Sequence, residues 1–234
     1  MPAPLTVIIP TLNAAATLPR TLGGLMPGLE AGLIRQLVVS DAGSRDATGQ
    51  IAEAAGADLI TGAPGRGGQL LRGAEAARGD WLLFVHADTV LTPGWPEAVR
   101  GHLAHPEAAA YFRLAFDASG VAPALVAGWA NLRSRIFGLP YGDQGLLLHR
   151  DLYAAVGGFR DQPLMEDVAM ARALRGRLRP LDAIAATSAA RYQADGWIRR
   201  GGANIWLLAR YFLGASPDTL AKAYRSGRAP PPGN

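Results

Sequence analysis

The 234-residue chain contains no cysteine, which excludes a disulfide framework and any thiolate metal site and leaves the redox compartment open. The start, Met1-Pro2-Ala3-Pro4-Leu5, lacks the charged opening and apolar core of a secretory leader. No uninterrupted apolar run approaches the roughly 18 residues of a spanning helix. The richest stretch, residues 203–214, is broken by Arg210. Neither G-x-x-x-x-G-K-[ST] nor a G-x-G-x-x-G after the first strand is present, so the common phosphate-cradling loops are missing. Aromatic residues are sparse at 7% and do not interleave as stacking platforms with the late basic residues (172–179, Arg191, Arg199, Arg200, Arg210), so nucleic acid is not expected as a partner.

What is present suffices for a folded core. Apolar residues make up 49%, while 29 Gly and 17 Pro imply many turns without a low-complexity tract. The net charge of +4 reads first as an Arg-rich, Ala-rich bias, and second as attraction to anionic ligands or a membrane surface.

Over the first 100 residues strands and helices alternate. Strands are expected at 5–9, 37–39, 57–60 and from Trp81, with helices from about Thr17, from Ser44 or Asp46 to Ala55, and over 67–78. Gly56 and Gly79 close two of these helices. Such alternation means a mostly parallel sheet covered by helices on both sides, an α/β Rossmann-like architecture. After residue 105 the pattern changes. Residues 109–117 alternate like an exposed antiparallel strand, and 145–149 form another apolar strand. Helices are expected at 125–137, with a mixed face of Trp129, Asn131, Arg133 and Arg135, then from Glu166 to Leu174, at 196–213 (amphipathic) and at 217–224. The expectation is one domain over 1–225, with a nucleotide-binding half (1–105) and an acceptor half (106–225), followed by a flexible Pro- and Gly-rich tail at 226–234.

The most informative segment is Trp81-Leu82-Leu83-Phe84-Val85-His86-Ala87-Asp88-Thr89. An apolar run of this length reads as a strand buried on both faces. A carboxylate just past its end sits at the carboxyl edge of the sheet, where open α/β folds bind ligands. Asp88 is placed there to hold a divalent metal against phosphates, or simply to cap the next turn. The first strand ends in Pro10-Thr11-Leu12-Asn13 and the second at Asp41, on the same edge. These polar groups can hydrogen-bond a base and ribose, or serve as ordinary loop caps.

Thr6-Val7-Ile8-Ile9-Pro10-Thr11-Leu12-Asn13 followed by Val38-Val39-Ser40-Asp41-Ala42-Gly43-Ser44-Arg45-Asp46-Ala47-Thr48 resembles the opening of the family 2 glycosyltransferases of GT-A fold. His86-Ala87-Asp88-Thr89 resembles their D-x-D metal motif, and Met165-Glu166-Asp167 their E-D motif. More narrowly, Gly65-Arg66, Asn131-Leu132-Arg133-Ser134-Arg135 and Gly142-Asp143-Gln144, together with those two motifs, resemble a small soluble bacterial subfamily. That subfamily is associated with radical-SAM and selenium-domain gene clusters, some members being assigned to arsenosugar biosynthesis. The resemblance implies that Pro10, Thr11, Asn13 and Asp41 hold the nucleoside, that Arg66 contacts the diphosphate or base, and that Asp88 binds Mg²⁺ or Mn²⁺. A hard cation with oxygen ligands would offset the charge growing on a departing nucleoside diphosphate. His86 stands where the motif has its first aspartate; imidazole suits Mn²⁺ better than Mg²⁺, and the ring can instead hydrogen-bond ribose or phosphate.

Inversion at a sugar carbon needs a base for the acceptor hydroxyl. Glu166 and Asp167 open a helix whose dipole is expected to keep both ionised, and their side chains diverge, so only one can serve. Asp167 is chosen as the resemblance implies, with Glu166 in support. Asp143 is placed near the donor sugar or acceptor. Arg191-Tyr192 resembles the family's late Q-x-x-R-W element in altered order, an arginine for diphosphate and a ring for sugar. Trp197, Trp206, Tyr211 and Phe212 are read as packing residues.

The expected function is metal-dependent inverting transfer from a nucleotide-sugar, a UDP-sugar first of all, to a hydroxyl of a small-molecule or lipid-linked acceptor. The enzyme would be cytoplasmic, with contact to the inner face of the membrane through the basic amphipathic helix, or homodimerisation through the late helices, as further expectations. Two alternatives stay open. A nucleotidyltransferase acting on sugar phosphates would want a Gly- and Lys-bearing loop that residues 11–19 lack. A non-catalytic nucleotide-sugar binding protein is disfavoured by Asp88 and Asp167.

Overall fold

The computed structural model describes residues 3–225, so the tail expected to be flexible at 226–234 lies outside the described residues. Among the described residues eight strands form one sheet, in the order Asp58–Thr61, Ile34–Asp41, Leu5–Thr11, Trp81–Phe84, Leu146–His149, Ala109–Phe116, Leu178–Thr187 and Thr89–Leu91. The first four, β1 (Leu5–Thr11), β2 (Ile34–Asp41), β3 (Asp58–Thr61) and β4 (Trp81–Phe84), are all parallel. Between them run α1 (Leu18–Glu30), α2 (Thr48–Ala54) and α3 (Arg66–Glu75).

Side-chain alternation explains the two-faced burial of these strands. Leu5, Val7 and Ile9 of β1, with Trp81 and Leu83 of β4, point into one core with Leu18 and Leu25 of α1. Ile8, Val38, Leu82 and Phe84 point into the other, against Leu70 and Ala74 of α3. Trp95 and Val99 of α4 (Trp95–His102) complete the first core.

The chain leaves β1 toward β2 on one side, and β4 lies on the other. Between them is therefore the point where strand order reverses, and ligand crevices in open sheets form at the carboxyl ends beside it. The ends of β1, β2 and β4 carry Thr11, Asp41 and the His86-Asp88 turn.

Beyond β4 the sheet is mixed. β7 (Leu146–His149) runs antiparallel to β4 and to β6 (Ala109–Phe116), β6 runs parallel to β8 (Leu178–Thr187), and β8 pairs antiparallel with β5 (Thr89–Leu91). Residues 109–117, read as an exposed antiparallel strand, do pair antiparallel with β7 on one side, but they are largely buried and pair in parallel with β8 on the other. Their alternation is that of an interior strand carrying Arg113 at one exposed position. β5, β8, α4 and the short helices α6 (Arg150–Ala155) and α8 (Ala190–Asp195) were not anticipated.

α5 (Val121–Phe137) lies where a helix was expected, but its mixed face is inverted. Arg133 and Ser134 are buried and Asn131 is half-buried, while Leu125, Trp129, Leu132 and Ile136 are exposed. Asn131 accepts from the Leu114 amide at 2.8 Å and donates to the Leu114 carbonyl at 3.0 Å, and Ser134 donates to the Ala130 carbonyl at 2.8 Å. Arg133 donates Nε to the Leu139 carbonyl at 2.9 Å, while its Nη2 is buried without a hydrogen-bond partner among the described residues. α7 (Glu166–Ala173), α9 (Trp197–Phe212) and α10 (Pro217–Arg225) complete the described chain. Trp206 and Tyr211 of α9 pack with Leu207 and Leu220, as expected of packing residues, whereas Phe212 remains half exposed.

Candidate active site

Two polar assemblies occupy the sheet's carboxyl edge. The first laces the loops after β1 and β2. Asp41 accepts from the Thr11 hydroxyl at 2.8 Å, the Gly43 and Ser44 amides at 2.9 and 2.7 Å, and the Ser44 hydroxyl at 2.5 Å. Asn13, in the left-handed region at φ 50°, accepts from the Arg45 amide at 2.9 Å. Burial opposes ionisation of Asp41, but the Ser44, Thr11 and Gly43 donors outweigh it and hold the carboxyl below its ordinary range. Its oxygens therefore serve the loop, while Asn13 and Gly43 stand exposed at the rim.

The second assembly is a cavity of about 160 Å³, whose lining includes Arg66, His86, Asp88, Tyr141, Asp143, Glu166, Asp167, Arg191, Tyr192, Arg200 and Asn204. After β4 the chain turns tightly, the Thr89 amide donating to the His86 carbonyl at 3.1 Å, and this brings Asp88 to the cavity. Arg66 opens α3. The next residue is glycine of necessity: a Cβ at Gly67 would lie 2.2 Å from the Arg160 carbonyl oxygen. One turn on, buried Gln69 donates to the Thr11 and Ser40 carbonyls at 2.7 and 2.8 Å. The start of α3 thus ties the cavity to the Thr11–Asp41 rim.

α7 opens after Met165, itself left-handed at φ 63°. Asp167 accepts from the Gly142 amide at 3.0 Å, which joins α7 to the turn bearing Asp143. Glu166 lies 3.4 Å from Arg66, its side chain only 1% exposed. The dipole was expected to keep both carboxylates ionised. Burial first, and the charge of Asp167 second, overcome it at Glu166, which is pushed up to about 7 despite Arg66.

Asp143 is likewise pushed up to about 6, by burial with Asp167 and Asp88 adding to it and Arg133 opposing. Burial, then Arg66 and Arg191, hold the His86 imidazole well below its ordinary value, so the ring is neutral at pH 7. Tyr192 stacks on Trp197 at 4.9 Å and its hydroxyl accepts from Asn204 at 3.0 Å.

Of the residues singled out in the sequence, Arg66, His86, Asp88, Asp143, Glu166, Asp167 and Arg191 come together in this cavity, while Thr11, Asn13 and Asp41 form the neighbouring rim. Pro10 stays within β1, paired with Ser40. Sequence reasoning missed Tyr141, Arg200 and Asn204 as lining residues, and took Arg133 for part of a helix face. A buried arginine whose Cζ lies 3.4 Å from the Tyr141 ring centroid leaves one signal in the sequence, a charge repeated inside an apolar helix.

The model of glycosyl transferase family 2 matches residues 6–143, more than half of the chain. The chain belongs to that family. Glucosyl-3-phosphoglycerate synthase of Mycobacterium tuberculosis (strain H37Rv) is 33% identical over 95 residues, covering 37% of this chain and 29% of that protein. The Mycolicibacterium smegmatis synthase is 34% identical over 94 residues, covering 36% and 31%. The aligned region thus spans about a third of the length of these curated relatives. Among solved structures, the M. tuberculosis synthase in complex with Mn²⁺, UDP and phosphoglyceric acid aligns with a TM-score of 0.55 at 21% identity, over 79% of this chain and 70% of that one. S. aureus TarS aligns with a TM-score of 0.58 at 20% identity, over 80% and 37%. The architecture is that of the GT-A glycosyltransferases.

Proposed function

We propose that this family 2 protein transfers a sugar, with inversion, from a nucleotide-sugar donor to an acceptor hydroxyl. The observation that carries the reading is the meeting of Asp88, Arg66 and Arg191 with Asp167 in one cavity beside the strand-order reversal. In this reading the base and ribose lie along the Thr11–Asn13 and Asp41–Ser44 rim, touching its exposed backbone, and the diphosphate enters the cavity toward Arg66 and Arg191. UDP is the nucleotide of first choice, because the similar mycobacterial synthase was crystallised with it.

The Asp88 carboxylate makes no hydrogen bond or ion pair among the described residues, which suits a hard cation. The described residues gather no set of three His, Asp or Glu donors, so a cation here would complete its shell with diphosphate oxygens and water. Asp88 would hold it, with the neutral His86 beside it favouring Mn²⁺ over Mg²⁺. When bound, such a cation supplies charge compensation to the leaving diphosphate.

The protein's own groups do the rest. Asp167, oriented by the Gly142 amide, takes the proton from the acceptor hydroxyl as that oxygen bonds to the anomeric carbon and the carbon–diphosphate bond breaks. Arg66 and Arg191 receive the separated nucleoside diphosphate. Glu166 sets the position of Arg66. Residues 1–105 carry the nucleoside and most of the donor site in this scheme, with Arg191 contributed from 106–225, the half that carries the acceptor. The narrower likeness to the arsenosugar-type subfamily and a cytoplasmic location belong to the same proposal. No helix among the described residues is long and apolar enough to cross a membrane.

The test is incubation with a panel of UDP-sugars and Mn²⁺, measuring UDP release. Slow hydrolysis of one donor is expected, and Asp88→Ala should abolish it. Tight metal-dependent donor binding without turnover under any acceptor would sink the proposal and favour a binding protein.

A further inference from the structure

The outward face of α5 is built the wrong way round for a helix in water. Leu125 is 68% exposed, Trp129 47% and Phe137 60%, while the polar Arg133 and Ser134 of the same helix are buried. A surface helix ordinarily turns its apolar stripe inward, and a contiguous exposed apolar face marks a binding site. Facing it, α9 presents Ile198, 91% exposed, and Ile205, 52% exposed. Between the two helices lies a predominantly apolar groove of about 420 Å³, with Trp129 and Trp197 in its walls.

The groove does not stand alone. Tyr141, Asp143, Tyr192 and Asn204 line both it and the cavity containing Asp88 and Asp167. An extended molecule lying in the groove therefore ends against Asp143, in the wall of the candidate reaction site. A compact polar acceptor would leave this groove empty, and a second subunit seated on it would obstruct the route to the cavity. We infer that the groove between α5 and α9 is an acceptor subsite for the apolar chain of an amphiphilic molecule, whose hydroxyl-bearing end reaches the Asp143–Asp167 wall. This rests on the glycosyl-transfer reading and adds the acceptor's chemical class to it.

The test uses the whole chain and monomeric alkyl β-glucosides, hexyl to decyl, below their micellar concentrations. Tryptophan fluorescence reads the groove through Trp129 and Trp197, and UDP binding is titrated in the same samples. A saturable fluorescence change is expected, absent with glucose alone and lost when both tryptophans are replaced by phenylalanine. The dissociation constant should fall roughly fourfold for each added methylene until the groove is full. Leu125→Asp and Ile198→Asp, both at exposed positions, should each abolish that chain-length dependence. No alkyl response from a protein that binds UDP overturns the subsite and leaves the transferase reading standing. Alkyl binding without any UDP binding removes the donor and with it the acceptor role. Two other findings, each paired with silence toward the monomeric glucosides, also overturn the inference. Conversion of a dimer to a monomer by Leu125→Asp would make the face a subunit interface. Sedimentation with phosphatidylglycerol vesicles would make it a lipid-surface contact.

Discussion

Glu166→Gln tests the electrostatic core of the site without touching its shape. The carboxyl is pushed up to about 7 from an ordinary 4.5, by burial and by the adjacent Asp167. Between those values the folded protein holds a proton that the unfolded chain has released. Stability from this group is therefore greatest at acid pH and is lost as pH rises toward 7. A tenfold difference in proton affinity between the folded and unfolded chain is worth about 1.36 kcal/mol, so raising the pH from 5 to 8 should cost the folded state roughly 2–3 kcal/mol through Glu166. For a chain of this size that is roughly 5–10 °C in melting temperature. Glutamine keeps an oxygen for Arg66, 3.4 Å away, but has nothing to titrate. The amide-to-Arg66 contact of the variant does not change with pH because Arg66 stays charged throughout, so the slope and not the absolute Tm is diagnostic. Asp143, at about 6, contributes a slope of the same sign that persists in the variant. Thermal melts by circular dichroism at pH 5 and 8, without nucleotide or divalent metal, make the comparison. If Glu166→Gln loses as many degrees between the two pH values as the unaltered protein, Glu166 is not the buried, proton-holding group inferred here.

Three further substitutions separate chemistry, site shape and scaffold. Asp167→Asn keeps an oxygen for the Gly142 amide but loses the base; kcat should drop about 10²- to 10⁴-fold with UDP affinity little changed, in a steady-state assay paired with calorimetry. Gly142→Ala puts a Cβ 2.4 Å from Nε2 of His86, so the ring must move. The expected cost is about 1–3 kcal/mol of stability together with weaker donor binding, and unchanged donor affinity would show that the ring position is immaterial. Gln69→Leu strips the Thr11 and Ser40 carbonyls of their shared donor; urea unfolding should show a loss of about 1–3 kcal/mol, and nucleoside binding should weaken because both loops rest on that contact.

The first half of the sheet was legible because its residues signal strongly and locally. Five consecutive apolar residues before His86, and the run through Ile8 and Ile9, admit little but strands buried on both faces. β8 was hidden for an equally physical reason. Leu178–Thr187 is built from alanines with Asp182 and Pro180 among them, and proline in a run argues against a strand. Its position is tolerated where the pairing with β6 shifts register, between Tyr111 and Arg113. β5, three residues long, is stabilised by its partner and has no period of its own. In the site, Asp88, Arg66 and Asp167 could be picked out because the stretches that carry them resemble the family's motifs; a turn cap, a loop charge and a dipole-favoured acidic first turn would otherwise explain them equally well. Arg133 and Asn131 could not, since only tertiary packing decides which side of a helix turns inward. The raised Glu166 was misjudged because a helix dipole is visible in sequence and the depth of burial is not.

The strand order has a consequence for anyone wishing to dissect the chain. β7, from residues 146–149, is wedged between β4 and β6, and β5, from residues 89–91, is stitched to the far margin by β8. Scission near residue 105 would strip Trp81–Phe84 of its outer neighbour and leave Thr89–Leu91 with nothing to zip onto. Such a fragment would display a raw, greasy border of unsatisfied amides, the template on which chains self-associate. Truncation mapping is thus expected to yield inclusion bodies, and the two contributions to the crevice can be studied separately only by point substitution within the intact polypeptide.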